Sequence, residues 1–146
     1  MFNTLFSANG DWVGLVLRLT IGLILFPHGA QKMLGWFGGY GFSGTMGFFT
    51  GTAGLPYIVG LAVILLEFGG SLLLVAGLGT RVIALGIIGL MIGIILTSHL
   101  PNGFFMNWYG SQPGEGYEYH LLVIGLAAAL LIEGAGRYSM DGLIAQ

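Results

Sequence analysis

The chain has 146 residues, 55 % of them hydrophobic and 7 % charged, with four Lys/Arg against six Asp/Glu and a mean hydropathy of +0.90. Soluble domains carry about 25 % charged residues, so a water-soluble fold is excluded, and a formal charge of −2 leaves no basic surface for nucleic acid. Cysteine is absent, which removes disulfides, thiolate catalysis, iron–sulfur ligation and c-type haem attachment.

A membrane-spanning helix needs about 20 apolar residues to cross roughly 30 Å of hydrocarbon. Four segments meet that length. The expected fold is all-α: a polytopic four-helix transmembrane bundle, one domain over residues 1–146. The first helix is expected at about 12–34; it carries Arg18 within its apolar run and so reads as a retained helix rather than a cleaved signal. Pro27 lies inside it. A long link follows at about 35–55, where Phe42, Met46 and Phe49 repeat at helical spacing, and a short interfacial helix is expected from near Ser43. The second helix, about 56–78, opens at Pro56, where a proline is tolerated. Gly77-Leu78-Gly79-Thr80 then forces an antiparallel hairpin with the third helix, about 80–100. A second long link, about 101–116, leads to the fourth helix, about 117–135.

Both long links fall on one side of the bundle, the loop face; the termini and the tight turn fall on the other, the terminal face. Arg81 and Arg137 flank the terminal face and Arg18 lies nearer to it, whereas Lys32 alone marks the loop face. The bias places both termini in the cytoplasm, and the expected location is the bacterial inner membrane with the loop face periplasmic. Aromatic residues crowd the loop face, and Trp36, Phe48, Phe49 and Trp108 are expected to fold back as a lid over the bundle.

Charges within the bilayer cost about 2.5–3.5 kcal/mol each on insertion scales. Arg18 and Glu67 are the deep ones, and they are expected to form a buried ion pair, either a structural lock between helices one and two or a proton-relay or substrate-anchoring carboxylate. Nearer the loop face, His28 and Lys32 are one turn apart on helix one. His99 closes helix three, while Glu118 and His120 open helix four on nearly opposite sides, so only one of these two can face fully inward. His28, Lys32, His99, His120 and Glu118 are the candidate ligand-binding residues, to be weighed against plain interfacial hydrogen bonding. No metal site is expected, because the three histidines come from separate helices and no HxxxH pair exists. Gly39 to Gly44 matches GxGxxG but follows a transmembrane helix rather than a strand, so no nucleotide site is expected. Gly89 and Gly93 give helix three a small-residue face, first for packing inside the bundle and second for a homo-oligomer.

The run Arg18-Leu19-Thr20-Ile21-Gly22, followed by Pro27-His28-Gly29-Ala30-Gln31-Lys32, resembles the first helix of the DoxX family. Gly38-Gly39-Tyr40-Gly41 with Phe48-Phe49, Glu67-Phe68-Gly69-Gly70, and the ending Gly134-Ala135-Gly136-Arg137-Tyr138-Ser139-Met140-Asp141 extend the resemblance over nearly the whole chain; Ala135 departs from the usual Gly-Pro-Gly of that ending. The resemblance implies a membrane protein of a family that includes a subunit of a thiosulfate:quinone oxidoreductase, with Arg18, His28, Lys32 and Glu67 as its polar residues. The expected function is a membrane subunit of a redox system that interacts with quinone or a quinone-like molecule. If it is an enzyme, it is a quinone-linked oxidoreductase subunit. No intrinsic cofactor is expected, so electrons would come from a redox partner subunit or from substrate. The alternative is a non-catalytic accessory protein that scaffolds a partner membrane complex.

Overall fold

A computed structural model describes residues 11–145; residues 1–10 and 146, and with them the expected placement of the termini, lie outside the described residues. Every element in it is helical. Helix α1 spans Trp12–Leu34. Its first turn is capped by Asp11, whose carboxylate accepts from the Val13 and Gly14 amides at 3.1 and 3.4 Å, satisfying donors that a helix start leaves open. It continues through Pro27. A single turn at Trp36–Gly38 leads into α2, Gly41–Gly47, which starts two residues before Ser43 and runs on as a π-turn, Phe48–Thr52.

Helix α3 spans Tyr57–Ala76 and contains a π-turn at Leu66–Gly70. It ends at Gly77, φ 70°, and Gly79, φ 63°, precedes α4. These left-handed positions let the chain reverse within three residues, a conformation glycine adopts without steric cost. Helix α4 spans Thr80–Asn102, with a π-turn at Ile95–His99. Helices α5, Glu118–Glu133, and α6, Met140–Ile144, complete the described chain.

Helix α1 packs against α3 and α5, and α4 packs against the same two, which gives a four-cornered bundle. Its core is Ile21 and Leu25 of α1, Leu74 of α3, Ala84, Ile87, Leu90 and Met91 of α4, and Val123, Ala127 and Leu130 of α5. The outward faces are as apolar as the inward ones: Leu23, Ile58, Leu65, Leu85, Leu96 and Leu122 are all exposed, as befits helices solvated by lipid chains. Among the described residues α1, α3 and α4 are long and apolar enough to cross a membrane. The 16 residues of α5 span about 24 Å at 1.5 Å per residue, short of the hydrocarbon thickness.

The terminal face is closed by the segment that follows α5. Arg18, 1 % exposed, donates from Nε to the Ala135 carbonyl, from Nη1 to those of Leu74 and Val75, and from Nη2 to those of Arg137 and Tyr138, at 2.5–3.2 Å. A guanidinium carries five N–H donors, and each has a carbonyl. Asp141, also 1 % exposed, accepts from the amides of Gly79 and Thr80 at 2.7 and 2.9 Å and so caps the start of α4. The two charged groups are thus consumed in tying α1, α3, α4 and the C-terminal segment together.

Candidate functional site

The expected ion pair between Arg18 and Glu67 does not form, and the stagger of the helices explains why. Gly29 crosses α3 so closely that a Cβ there would lie 2.4 Å from the Phe68 nitrogen and 2.5 Å from the Glu67 carbonyl carbon. Gly29 is therefore level with Glu67, and Arg18, eleven residues back along α1, is about 16 Å away along the axis. Lys32, one turn beyond Gly29, reaches the carboxylate instead: Nζ donates to Glu67 Oε2 at 2.5 Å. The carboxylate side chain is 4 % exposed and the lysine 26 %, the long lysine stem carrying its charge outward. The π-turn that holds Glu67 widens α3 at this level, a device frequent at functional sites. Gly29→Ala should force the two backbones apart and lower stability by about 1–3 kcal/mol, measured as a drop in the thermal unfolding midpoint of the detergent-solubilised protein.

At the same end of the bundle, α5 brings Tyr119 and His120 inward. His120 is 7 % exposed, and its Nδ1 and the Tyr119 hydroxyl are buried without a hydrogen-bond partner. Buried polar atoms are seldom left unpaired. The His120 ring lies 4.3 Å from that of His99, centroid to centroid, and 5.5 Å from that of Tyr119. His99 Nδ1 in turn meets the Glu115 carbonyl at 2.7 Å. The Lys32–Glu67 pair from α1 and α3 and the His99, His120 and Tyr119 rings from α4 and α5 thus lie at one end of the bundle and make up the candidate site.

Two candidates stand outside it. His28 is exposed; it sits at the edge of the polar seam of α1, about 40° from Lys32 around the helix, and that offset turns it away from the interior. Glu118 accepts from the Met106 amide at 2.9 Å, so the choice between Glu118 and His120 goes to His120. The aromatic residues do not form a common cover: Trp36 is 53 % exposed, Phe48 55 % and Trp108 80 %, while Phe49 is half-buried against Gly60. The second link closes on its own backbone instead, with Tyr117 and Glu118 amides donating to the Gly103 and Phe104 carbonyls and Asn107 bonded to both Glu115 and Gln112. An apolar groove of about 510 Å³ between α3 and α4, lined by Leu66, Gly70 and Leu73 with Ile83 across from them, includes none of the candidate polar residues. Tyr119 was not among the expected residues; its signal is that it adjoins His120 on the helix whose buried face continues through Val123, Ala127 and Leu130.

The sequence model of the DoxX family matches residues 13–100, a stretch that holds Arg18, Gly29, Lys32, Glu67 and His99. The chain belongs to the DoxX family. This DoxX protein is 32 % identical over 116 residues to a protein of Bacillus subtilis (strain 168) named "Putative oxidoreductase CatD", covering 80 % of this chain and 76 % of that one. No solved structure matches it significantly. The DoxX match ends at α4, so Tyr119 and His120 come from the part of the chain beyond it.

Proposed function

We propose that this protein is a membrane component of a redox system and that the Lys32–Glu67–Tyr119–His120 cluster receives a quinone or quinone-like molecule. The observation that carries this reading is the pair of orphaned polar atoms, the Tyr119 hydroxyl and His120 Nδ1, at the same end of the bundle as the Lys32–Glu67 ion pair. A quinone carbonyl is a hydrogen-bond acceptor, and the tyrosine O–H, the lysine N–H and a histidine N–H are donors that fit it. When bound, a quinone supplies coupled electron and proton uptake at its carbonyl oxygens. The protein's part is to hold and orient the ring and to keep protonatable groups at those oxygens. The DoxX assignment and the oxidoreductase name of the Bacillus subtilis relative support the redox class. In this reading α5 and the Arg18-bound segment complete a fourth crossing, both termini face the cytoplasm, and the membrane is a bacterial inner membrane.

Tyr119→Phe separates a ligand-binding role from a structural one, because the hydroxyl it removes has no partner in the unliganded fold. Thermal stability should stay equal or rise, since a buried unsatisfied group costs about 1–3 kcal/mol. Affinity for a short-tailed quinone analogue, titrated into protein in lipid nanodiscs, should fall by about 0.5–1.5 kcal/mol. Equal affinity in wild type and variant would remove the ligand from this cluster. A second reading, an accessory protein that docks a partner complex, is favoured by the exposure of Phe37, Tyr40, Phe105 and Tyr109 on the links. A wild type with no quinone affinity that copurifies in fixed ratio with one protein would establish that reading instead.

A further inference from the structure

We propose that the tip of the second link, Trp108 and Tyr109, is a membrane-interface anchor that seats in the headgroup layer of the loop-face leaflet. The tip is a built turn. The Gly110 amide donates to the Asn107 carbonyl at 3.2 Å and Gly110 has φ 64°, so residues 107–110 turn with Asn and Gly at the ends that favour them. The central positions of such turns ordinarily go to Pro, Asp, Asn, Ser or Gly. Here they hold a tryptophan 80 % exposed and a tyrosine 94 % exposed. The base is clamped: Asn107 Oδ1 accepts from the Gln112 amide at 3.0 Å, its Nδ2 donates to the Gln112 carbonyl at 3.1 Å, and its own amide donates to the Glu115 carboxylate at 2.7 Å. Two aromatic side chains held in this way lose little freedom when they meet a surface.

Three observations point to lipid as that surface. Exposed apolar side chains run from the lipid-facing side of α4 into the link, through Leu96 and Leu100 to Phe104 and Phe105, so the tip continues a surface that already meets acyl chains. Trp108 lies six residues beyond the end of α4 at Asn102, a stretch that spans at most about 20 Å, so the headgroup layer stays within reach. No Lys or Arg lies between Arg81 and Arg137, and the Glu115 and Glu118 carboxylates are turned onto the Asn107 and Met106 amides. The link therefore offers no cation to anionic lipid and no charged patch to a protein partner. Tryptophan and tyrosine, each an apolar ring with one polar group, are the types that the interface favours. Seated there, the tip fixes the depth of the ends of α4 and α5 that carry His99 and His120.

The test uses the full chain in phosphatidylcholine vesicles with Trp12→Phe and Trp36→Phe, which leaves Trp108 as the sole tryptophan; circular dichroism checks the fold. Lipids brominated near the headgroup end of their acyl chains should quench most of the Trp108 emission. Lipids brominated near the chain ends should quench it much less, aqueous iodide should quench it little, and added anionic lipid should change nothing. Asn107→Ala in the same background should weaken the bromolipid quenching and admit iodide. If the double variant does not fold, the same quantities are read from the emission lost between wild type and Trp108→Phe. Strong iodide quenching without bromolipid quenching would overturn the anchor and leave the tip to a partner protein. Quenching that appears only with anionic lipid would overturn it too, since charge would then do the binding, and unchanged quenching in Asn107→Ala would overturn the role of the clamp. No quinone enters the measurement, so its outcome is independent of the ligand.

Discussion

Arg18→Met should lower the stability of the solubilised protein by more than about 4–5 kcal/mol, the range in which a single substitution becomes exceptional. Hydrogen bonds to charged groups are worth about 1.5–3 kcal/mol each, and five carbonyls lose theirs together. Simple addition overstates the loss because neighbouring bonds are not independent. Even so, the remainder is a large part of the 5–15 kcal/mol that typically holds a domain folded. The check is chemical unfolding in mild detergent followed by helical circular dichroism, with Arg18→Lys beside it. Lysine keeps the charge but not the planar fork of donors, so it should recover only part of the loss. A midpoint for Arg18→Met within experimental error of wild type would refute the role assigned to the guanidinium.

The second large effect is expected at Lys32 and Glu67. Lys32→Met strands a carboxylate that is 4 % exposed, and breaking a buried pair from one side costs about 3–5 kcal/mol. Lys32→Met combined with Glu67→Leu should cost clearly less than the two single changes added, because the double variant leaves no buried charge. Arg18→Met with Glu67→Leu, by contrast, should be additive, since those residues share no partner. A coupling energy near zero between Lys32 and Glu67 would count against the pair; one of several kcal/mol between Arg18 and Glu67 would count against the stagger of α1 and α3.

The helices were legible because their signal is one of length and apolarity: α1 at 12–34, the tight turn at Gly77–Gly79 and the short helix in the first link all follow from local residues. Partnership was not legible, for a geometric reason. Depth counted from helix ends assumes that ends are level, yet Leu34 lies five residues beyond Gly29 whereas Tyr57 lies ten before Glu67, an offset of about 8 Å. That offset moved Glu67 from Arg18 to Lys32. The partners of Arg18 were hidden for a different reason. They are carbonyls, which every residue carries, and they lie in the last turn of α3 or in the irregular segment after α5. Asp141 left a fainter trace as an acid following the Ser139 cap in the last helix, but its role at Gly79 and Thr80 depends on the last helix meeting the mid-chain turn between α3 and α4 in space. For the candidate site, His99, His120 and Lys32 were recognisable as polar residues in apolar helices. His28 looked the same and is exposed, since 40° around a helix is finer than a sequence pattern resolves.

The order in which the chain is made sets a problem for Arg18. Three of its acceptors, Ala135, Arg137 and Tyr138, lie 117–120 positions downstream. At about 5–20 residues per second they emerge roughly 6 to 24 seconds after it. Until then the first helix holds a cation that hydrocarbon tolerates poorly, so it must wait tilted toward the lipid headgroups, in the insertion machinery or beside a temporary partner. Helix α1 is secured only when the segment after α5 has been made.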